Sequence, residues 1–96
     1  MTIQLRRYVI QKDRMDAFLK VWRESIVPLR HKHGFRVTGA WITQDRNEFV
    51  WLVTHDGDFA AAEARYYASP ERGAISPSPS GSIAKSEVTF ATSALP

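Results

Sequence analysis

The sequence predicts an α+β fold in which a four-stranded antiparallel sheet carries helices on one of its faces. Four runs rich in β-branched and aromatic residues alternate with two runs of helical periodicity, in the order β-α-β-β-α-β. The chain has 96 residues, 44% of them hydrophobic, and it contains no cysteine. That content is enough for one compact core without disulfides. We expect a single domain over 1–96, with its core at 3–91 and a loose tail at 92–96.

The first half of the fold begins with a strand and a long helix. Residues 3–10 alternate in polarity, as a half-buried strand does. Asp13 is the predicted N-cap of a helix that ends at Gly34, a residue suited to the left-handed conformation after a helix. Pro28 lies inside this helix, and we expect it to bend the helix or to end its regular part. The apolar stripe recurs every three or four residues: Met15, Phe18, Leu19, Trp22, Ile26 and Leu29.

The remaining elements are predicted from their turn residues and caps. Strands are expected at 35–43 and 48–55, joined by the turn-forming residues 44–47. Asp58 is the predicted N-cap of the next helix. After it we expect a helix at 59–67, one further helical turn at 69–72, a flexible Ser/Pro-rich connection at 76–82 and a last strand at 83–91. Right-handed crossovers would place both helices on one face of the sheet, which is the ferredoxin-like plan.

The second face of this sheet is predicted to be apolar. Val37 and Trp41 are expected to share a face of their strand. Two short helices cover only one side, and soluble monomers rarely expose a large apolar patch. We therefore predict a homodimer that packs sheet to sheet about a two-fold axis. The strand at 48–55 carries apolar side chains on both faces, with Phe49, Trp51 and Val53 on one and Val50 and Leu52 on the other.

The basic charge is concentrated toward the N-terminal end of the chain. The net charge is +3, and residues 1–36 hold nine of the 13 Lys/Arg but three of the ten Asp/Glu. Most of these cations lie along the long helix, which favours a solvated helix face over a polyanion site. The strand at 48–55 lacks the basic residue and glycine of RNA-binding sheets, so no nucleic acid is expected. No run approaches a membrane span, and a cytoplasmic location is expected.

Five groups of short motifs occur along the chain in a distinctive order and spacing. They are Gln4-Leu5-Arg6-Arg7-Tyr8, Phe18-Leu19-Lys20-Val21-Trp22 with Ile26-Val27-Pro28-Leu29, His33-Gly34-Phe35 with Gly39-Ala40-Trp41, Asn47-Glu48-Phe49-Val50-Trp51, and Tyr66-Tyr67-Ala68-Ser69-Pro70-Glu71-Arg72. Together they resemble the NIPSNAP family over residues 3–91. The resemblance implies a dimeric α+β barrel, in which two ferredoxin-like subunits pack sheet to sheet. It also implies membership of a superfamily of cofactor-free monooxygenases, polyketide cyclases, isomerases, haem-using enzymes and non-catalytic proteins.

Three polar residues are candidates for catalysis in a cleft between helices and sheet. Arg6 and Tyr8 lie two apart on one strand and point the same way, so Arg6 could hold a carboxylate or enolate oxygen while Tyr8 donates a proton. The alternative pairs Arg6 with Glu87 and packs Tyr8 in the sheet. His55 ends a strand, and histidine is a residue type suited to acid–base catalysis, although a solvated or capping histidine is the simpler interpretation.

Five aromatic residues are candidates for substrate binding, and packing in the core or interface is the alternative for each. The connection at 76–82 could close over the cleft or simply join two elements. The five residues are Trp22, Trp41, Trp51, Tyr66 and Tyr67.

The function predicted from these residues is that of a cofactor-independent enzyme of the monooxygenase, cyclase or isomerase type, acting on an apolar or aromatic compound. The chain has no phosphate-binding glycine loop and no carboxylate cluster at metal-ligand spacing, so neither metal nor cofactor is expected. The alternative is a non-catalytic homodimer that binds a ligand or a protein. Haem binding through His31, His33 or His55 is a third possibility.

Overall fold

The computed structural model describes residues 1–95 and has the predicted α+β, ferredoxin-like architecture. Pro96, the end of the predicted tail, lies outside the described residues. The sheet is antiparallel throughout, in the order β2-β3-β1-β4. The strands are β1 (Thr2–Ile10), β2 (Arg36–Ile42), β3 (Glu48–His55) and β4 (Ile83–Ala91). The helices are α1 (Met15–Val21), a π-helical turn (Trp22–Ile26), α2 (Val27–Lys32), α3 (Phe59–Ala68), α4 (Pro70–Gly73) and a 3-10 turn (Pro79–Ser82).

The long helix is continuous, and one of its predicted details needs correction. Asp13 is not the N-cap, because it adopts a left-handed conformation with φ 64°, and Arg14 occupies the cap position without a side-chain bond. The regular α-helix is interrupted just before Pro28, in keeping with the predicted bend or end of its regular part. A π-helical turn lies there, and the N–H of Val27 donates to the carbonyl of Trp22, five residues back. Such a turn accommodates the missing N–H of Pro28 within a continuous helix. Gly34 has φ 86°, as predicted for the residue after the helix.

The caps of the second half are confirmed. The side chain of Asp58 accepts a hydrogen bond from the N–H of Ala61, at 3.0 Å, and starts α3. The side chain of Ser69 likewise accepts a hydrogen bond from the backbone N–H of Arg72, at 3.1 Å, and starts α4. The Ser/Pro-rich connection is not wholly irregular, because it contains the 3-10 turn, whose Pro79 is buried.

One face of the sheet packs under the helices. The alternate residues Phe49, Trp51 and Val53 of β3 are buried there, as the alternation of the strand predicted. The prediction that Val37 and Trp41 share a face is wrong, because a bulge between Val37 and Gly39 reverses the alternation of β2. Val37 consequently packs against the core, whereas Trp41 lies on the other face.

The face without helices is apolar in its middle and charged at one corner. Leu5, Val50 and Leu52 lie there half-buried, and Trp41 is 56% exposed. The charged corner consists of two ion pairs, Arg7–Glu48 at 3.5 Å and Lys85–Glu87 at 3.4 Å. Within residues 1–95, none of the helices is long and apolar enough to cross a membrane.

Candidate functional site

A cleft of about 400 Å³ lies between the helices and the sheet, on the side of β1 and β4. Its walls come from both layers of the fold, and the 3-10 turn closes one end with Pro79 and Ser80. Most of the lining is aromatic or apolar, with a few polar groups among them, which is the usual composition of a small-molecule site. The polar and aromatic lining residues used below are Arg6, Tyr8, Arg30, Trp51, Tyr66, Tyr67 and Arg72.

Arg6 lies at the centre of the polar network of the cleft. Its guanidinium donates to the hydroxyl of Tyr8 at 2.7 Å, to Oε1 of Gln4 at 2.7 Å and to the hydroxyl of Tyr67 at 3.0 Å. The alternative pairing with Glu87 does not occur, because Arg6 lies opposite Val88 and Glu87 lies on the other face of the sheet. Arg6 is therefore fixed in place, with little freedom to follow a ligand.

This network determines where the phenol hydrogens of Tyr8 and Tyr67 can go. Each phenol oxygen accepts a hydrogen bond from Arg6, and Tyr67 also accepts from Arg30 at 3.4 Å. Arginine has only donors, so neither phenol can donate its own hydrogen to these partners. Both residues line the cleft, and both hydroxyl hydrogens remain to be donated to an acceptor there. The two hydroxyls, held by Arg6, are therefore available as hydrogen-bond donors to a ligand in the cleft.

Arg30 makes the cleft more positive and was missed in the sequence. Arg30 belongs to the cations of the long helix, for which a solvated face is predicted, but its side chain is 1% exposed. Its guanidinium lies over the ring of Tyr66, at 4.1 Å from the centroid. Arg6 and Arg30 share a single carboxylate, that of Glu63, at 3.6 Å and 3.1 Å respectively. Two cations against one anion leave a net positive charge beside the cleft, which favours an anionic ligand.

Two pKa shifts describe the electrostatics of the cleft. Burial disfavours the charge of Arg6, but the oxygens of Tyr8 and Tyr67 favour it, and the balance raises the pKa of Arg6 above its ordinary value. Burial also raises the pKa of Tyr66, in opposition to the nearby Arg30 and Arg72. At neutral pH the cleft therefore holds a charged guanidinium and a protonated Tyr66.

The structure brings five of the eight predicted site residues to the cleft and leaves three elsewhere. Arg6, Tyr8, Trp51, Tyr66 and Tyr67 line it. His55 does not. Its Nδ1 accepts from the N–H of Gly57 at 2.8 Å and its ring packs on Phe35 and Phe59. Trp22 packs edge-on against Phe49 and Trp51 in the core, and Trp41 lies on the open face of the sheet.

The histidines also bear on metal and haem binding. His31, His33 and His55 are all outside the lining of the cleft, so the cleft offers no imidazole to a haem iron. In the part of the chain that the structure describes, no three His, Asp or Glu side chains lie close enough together to hold a metal ion. The charged side chains in the lining of this cleft are cations, which suit an anion.

Comparison with known proteins identifies the family and the fold. The sequence profile of the NIPSNAP family matches residues 3–93. The structure is similar to an uncharacterized NIPSNAP domain protein from Burkholderia xenovorans, with 24% identity and a TM-score of 0.84 over 99% of this chain and 96% of that one. It is also similar to a NIPSNAP family protein with unknown function from Agrobacterium tumefaciens, with 22% identity and a TM-score of 0.84 over 95% and 86% of the two chains.

A more distant similarity connects the fold to an antibiotic biosynthesis monooxygenase. The two chains share 15% identity and a TM-score of 0.72, over 97% of this chain and 98% of the other. At such identities the similarity concerns the fold, and function has to be argued from the site. Among curated proteins, none matches this chain.

Proposed function

The chain belongs to the NIPSNAP family, and within it we propose that this protein is a homodimer whose cleft binds an organic anion with an apolar or aromatic body. The observation that carries this proposal is the pair of phenols, Tyr8 and Tyr67, whose oxygens both accept from Arg6. Their hydrogens are left for a ligand oxygen, and the charge behind them favours an oxyanion over a neutral carbonyl. A cytoplasmic location stays a prediction.

The same arrangement suits a cofactor-independent reaction that passes through an enolate. Donors aimed at the oxygen where negative charge develops stabilise the transition state more than the ground state. Tyr8 and Tyr67 would donate to that oxygen, and Arg6 would hold both phenols in place. Reactions of the monooxygenase, cyclase and isomerase type can share such an intermediate, and the apolar walls would accept the carbon skeleton.

A second candidate is a binding protein without catalysis, and one observation favours it. The lining of the cleft contains no His, Asp or Glu, so no side chain there is an evident proton acceptor. Under the catalytic proposal, water or the substrate itself would have to accept the proton. Under the binding proposal, the donors only hold a preformed anion.

Phenylpyruvate tests the two candidates, because it has an aromatic ring, an enolisable ketone and a carboxylate. We expect the protein to bind it in isothermal titration calorimetry and to speed exchange of its benzylic hydrogens with deuterium, followed by NMR. Tyr8→Phe should weaken binding about 10-fold, the effect of one charge-assisted hydrogen bond, and slow the exchange. Arg65→Ala, an exposed arginine of α3 outside the cleft, is the control and should change neither.

The possible outcomes separate the candidates. Binding without faster exchange supports the binding protein and contradicts the enzyme. Absence of binding contradicts both candidates. If Tyr8→Phe binds and exchanges as well as the unchanged protein, the phenol pair is not the receptor.

The proposed homodimer is supported by the apolar middle of the open sheet face. Leu5, Val50 and Leu52 have no covering element in the described chain, and Trp41 is more exposed still. A second copy would bury these side chains across a two-fold axis. In sedimentation velocity at micromolar concentration we expect a dimer, and Leu52→Glu should yield a monomer because it places a charge in the apolar contact. The control variant Arg23→Glu changes an exposed residue of the helix and should remain a dimer. If the unchanged protein sediments as a monomer, the proposed dimer is contradicted.

A further inference from the structure

Arg72 is a cation of the cleft that the proposed receptor does not use. It lines the cleft, and among residues 1–95 no carboxylate lies within salt-bridge distance of it. The other cations of the lining differ in this respect. Arg6 and Arg30 share Glu63, and Lys85 is paired with Glu87 at 3.4 Å. A partly buried guanidinium without a counter-charge is unfavourable until an anion binds beside it.

The position of Arg72 is fixed by the backbone around it. The backbone N–H of Arg72 donates to the side-chain oxygen of Ser69 at 3.1 Å, and the Ser69 hydroxyl in turn donates to the backbone carbonyl of Tyr66 at 2.7 Å. The guanidinium lies over the aromatic rings of Tyr66 and Tyr67, at 5.8 Å and 5.3 Å from their centroids. Its Nε is buried and has no hydrogen-bond partner in the described residues. A guanidinium held in this way is preorganised, so little entropy is lost when it binds an anion.

The relation of Arg72 to the phenol pair defines a second point of contact for a ligand. Tyr67 uses its hydroxyl to accept from Arg6, while Arg72 lies over its ring. Arg72 and the pair of phenols therefore meet at the side chain of Tyr67, and all three residues line the same cleft. A small ligand can reach both only if it carries two oxygen-bearing groups.

We propose that Arg72 binds a fixed carboxylate of the ligand, so that the cleft selects aromatic acids that also carry an enolisable ketone or a hydroxyl. The carboxylate binds the planar fork of Arg72, and the second oxygen binds Tyr8 and Tyr67. This substrate class rests on the function proposed above and narrows it from organic anions to acids with two oxygen-bearing groups.

A pair of ligands that differ in the carboxylate alone tests the assignment. Phenylpyruvate and phenylacetone share the ring and the ketone, but phenylacetone has a methyl group in place of the carboxylate. Arg72→Ala is expected to weaken phenylpyruvate binding about 10- to 100-fold in isothermal titration calorimetry and to leave phenylacetone binding unchanged. Arg72→Lys keeps the charge without the planar fork, so it should lose less affinity for phenylpyruvate than Arg72→Ala does. Arg65→Ala should lose no affinity. By contrast, Tyr8→Phe should weaken both ligands, because it removes a donor to the oxygen they share.

Each result has a distinct meaning. If Arg72→Ala binds phenylpyruvate as tightly as the unchanged protein does, Arg72 is not the carboxylate site, whereas the phenol receptor still stands. If it weakens both ligands equally while circular dichroism shows a folded protein, Arg72 has only a structural role and the assignment is overturned. If the unchanged protein binds neither ligand, the proposed function fails and the substrate class fails with it. If Arg72→Ala does not fold, Arg72→Lys is used in its place, and its affinity for phenylpyruvate is divided by its affinity for phenylacetone. If this ratio equals that of the unchanged protein, the proposal is contradicted.

Discussion

Replacing Glu63 by Gln removes a carboxylate that contacts both buried arginines of the cleft. The carboxylate contacts Arg30 at 3.1 Å and Arg6 at 3.6 Å, and its other oxygen accepts from Gln4 at 3.4 Å. Glutamine keeps the size and one acceptor oxygen but loses the charge. Two guanidinium groups would then lie together beside the cleft with no counter-charge among these contacts. We expect the folded state of Glu63→Gln to be clearly less stable.

The expected loss follows from how far the pair is buried. Breaking a fully buried ion pair costs about 3–5 kcal/mol, and an exposed pair contributes about 0.2–1 kcal/mol. The side chain of Arg30 is 1% exposed and that of Glu63 is 24% exposed, so the pair lies between these limits. With one acceptor retained, we expect the free energy of unfolding to fall by about 2 kcal/mol, which corresponds to about 1–2 M in the urea midpoint for a chain of this size.

Urea denaturation followed by circular dichroism measures this loss, at one fixed protein concentration because a dimer's stability depends on it. The matched control is Glu71→Gln. It breaks the pair between Lys32 and Glu71, whose side chains are 64% and 48% exposed, and should cost clearly less stability than Glu63→Gln. Equal losses for the two variants would refute the reasoning, because burial would then not decide the value of the Glu63 contacts.

Two further predictions concern the fold and its titration. Gly34→Ala should lower the free energy of unfolding by about 1–2 kcal/mol in the same assay, because φ is 86° and an added Cβ would lie 3.2 Å from a ring nitrogen of His55. The control, Gly73→Ala, has open space around it and should change the free energy of unfolding by no more than about 1 kcal/mol. A larger loss for Gly73→Ala than for Gly34→Ala would contradict the assigned turn. Hydrogen bonds from the Thr43 hydroxyl and from a backbone N–H lower the pKa of Asp45 below its ordinary value of 3.8. The ionised carboxylate of Asp45 therefore stabilises the folded state at pH values above 3.8, and this stabilisation is lost as the pH falls through the lowered pKa of the folded state. Thr43→Val should raise the pKa of Asp45 in an NMR titration, and an unchanged pKa would show that this hydrogen bond is absent in solution.

The order of elements could be predicted from the sequence because each depends on local chemistry. Alternation defined β1 and β3, and the side chains of Asp58 and Ser69 marked their helix starts. The errors arose where one residue changed the phase of a pattern. The bulge after Val37 put Trp41 on the opposite face, and Asp13 took a left-handed turn conformation in place of the cap. Nothing in the hydrophobic periodicity reports such a shift.

The site was harder to predict than the fold, since burial patterns do not separate a cleft from a core. The shared face of Arg6 and Tyr8 followed from their spacing of two, but nothing in the spacing separated Trp22, in the core, from Trp51, at the cleft. Arg30 was recoverable in part, because it follows Ile26 by four residues on the apolar stripe of the helix. Its partner Glu63 comes from α3, and that contact exists only in the folded chain.

A crystal structure of the complex with phenylpyruvate tests the anion receptor most directly. We predict that a ligand oxygen lies about 2.5–3.0 Å from the hydroxyls of both Tyr8 and Tyr67, with the ring against the apolar wall of the cleft. A ligand bound only on the open sheet face, or one whose oxygens avoid both phenols, would contradict the proposed function.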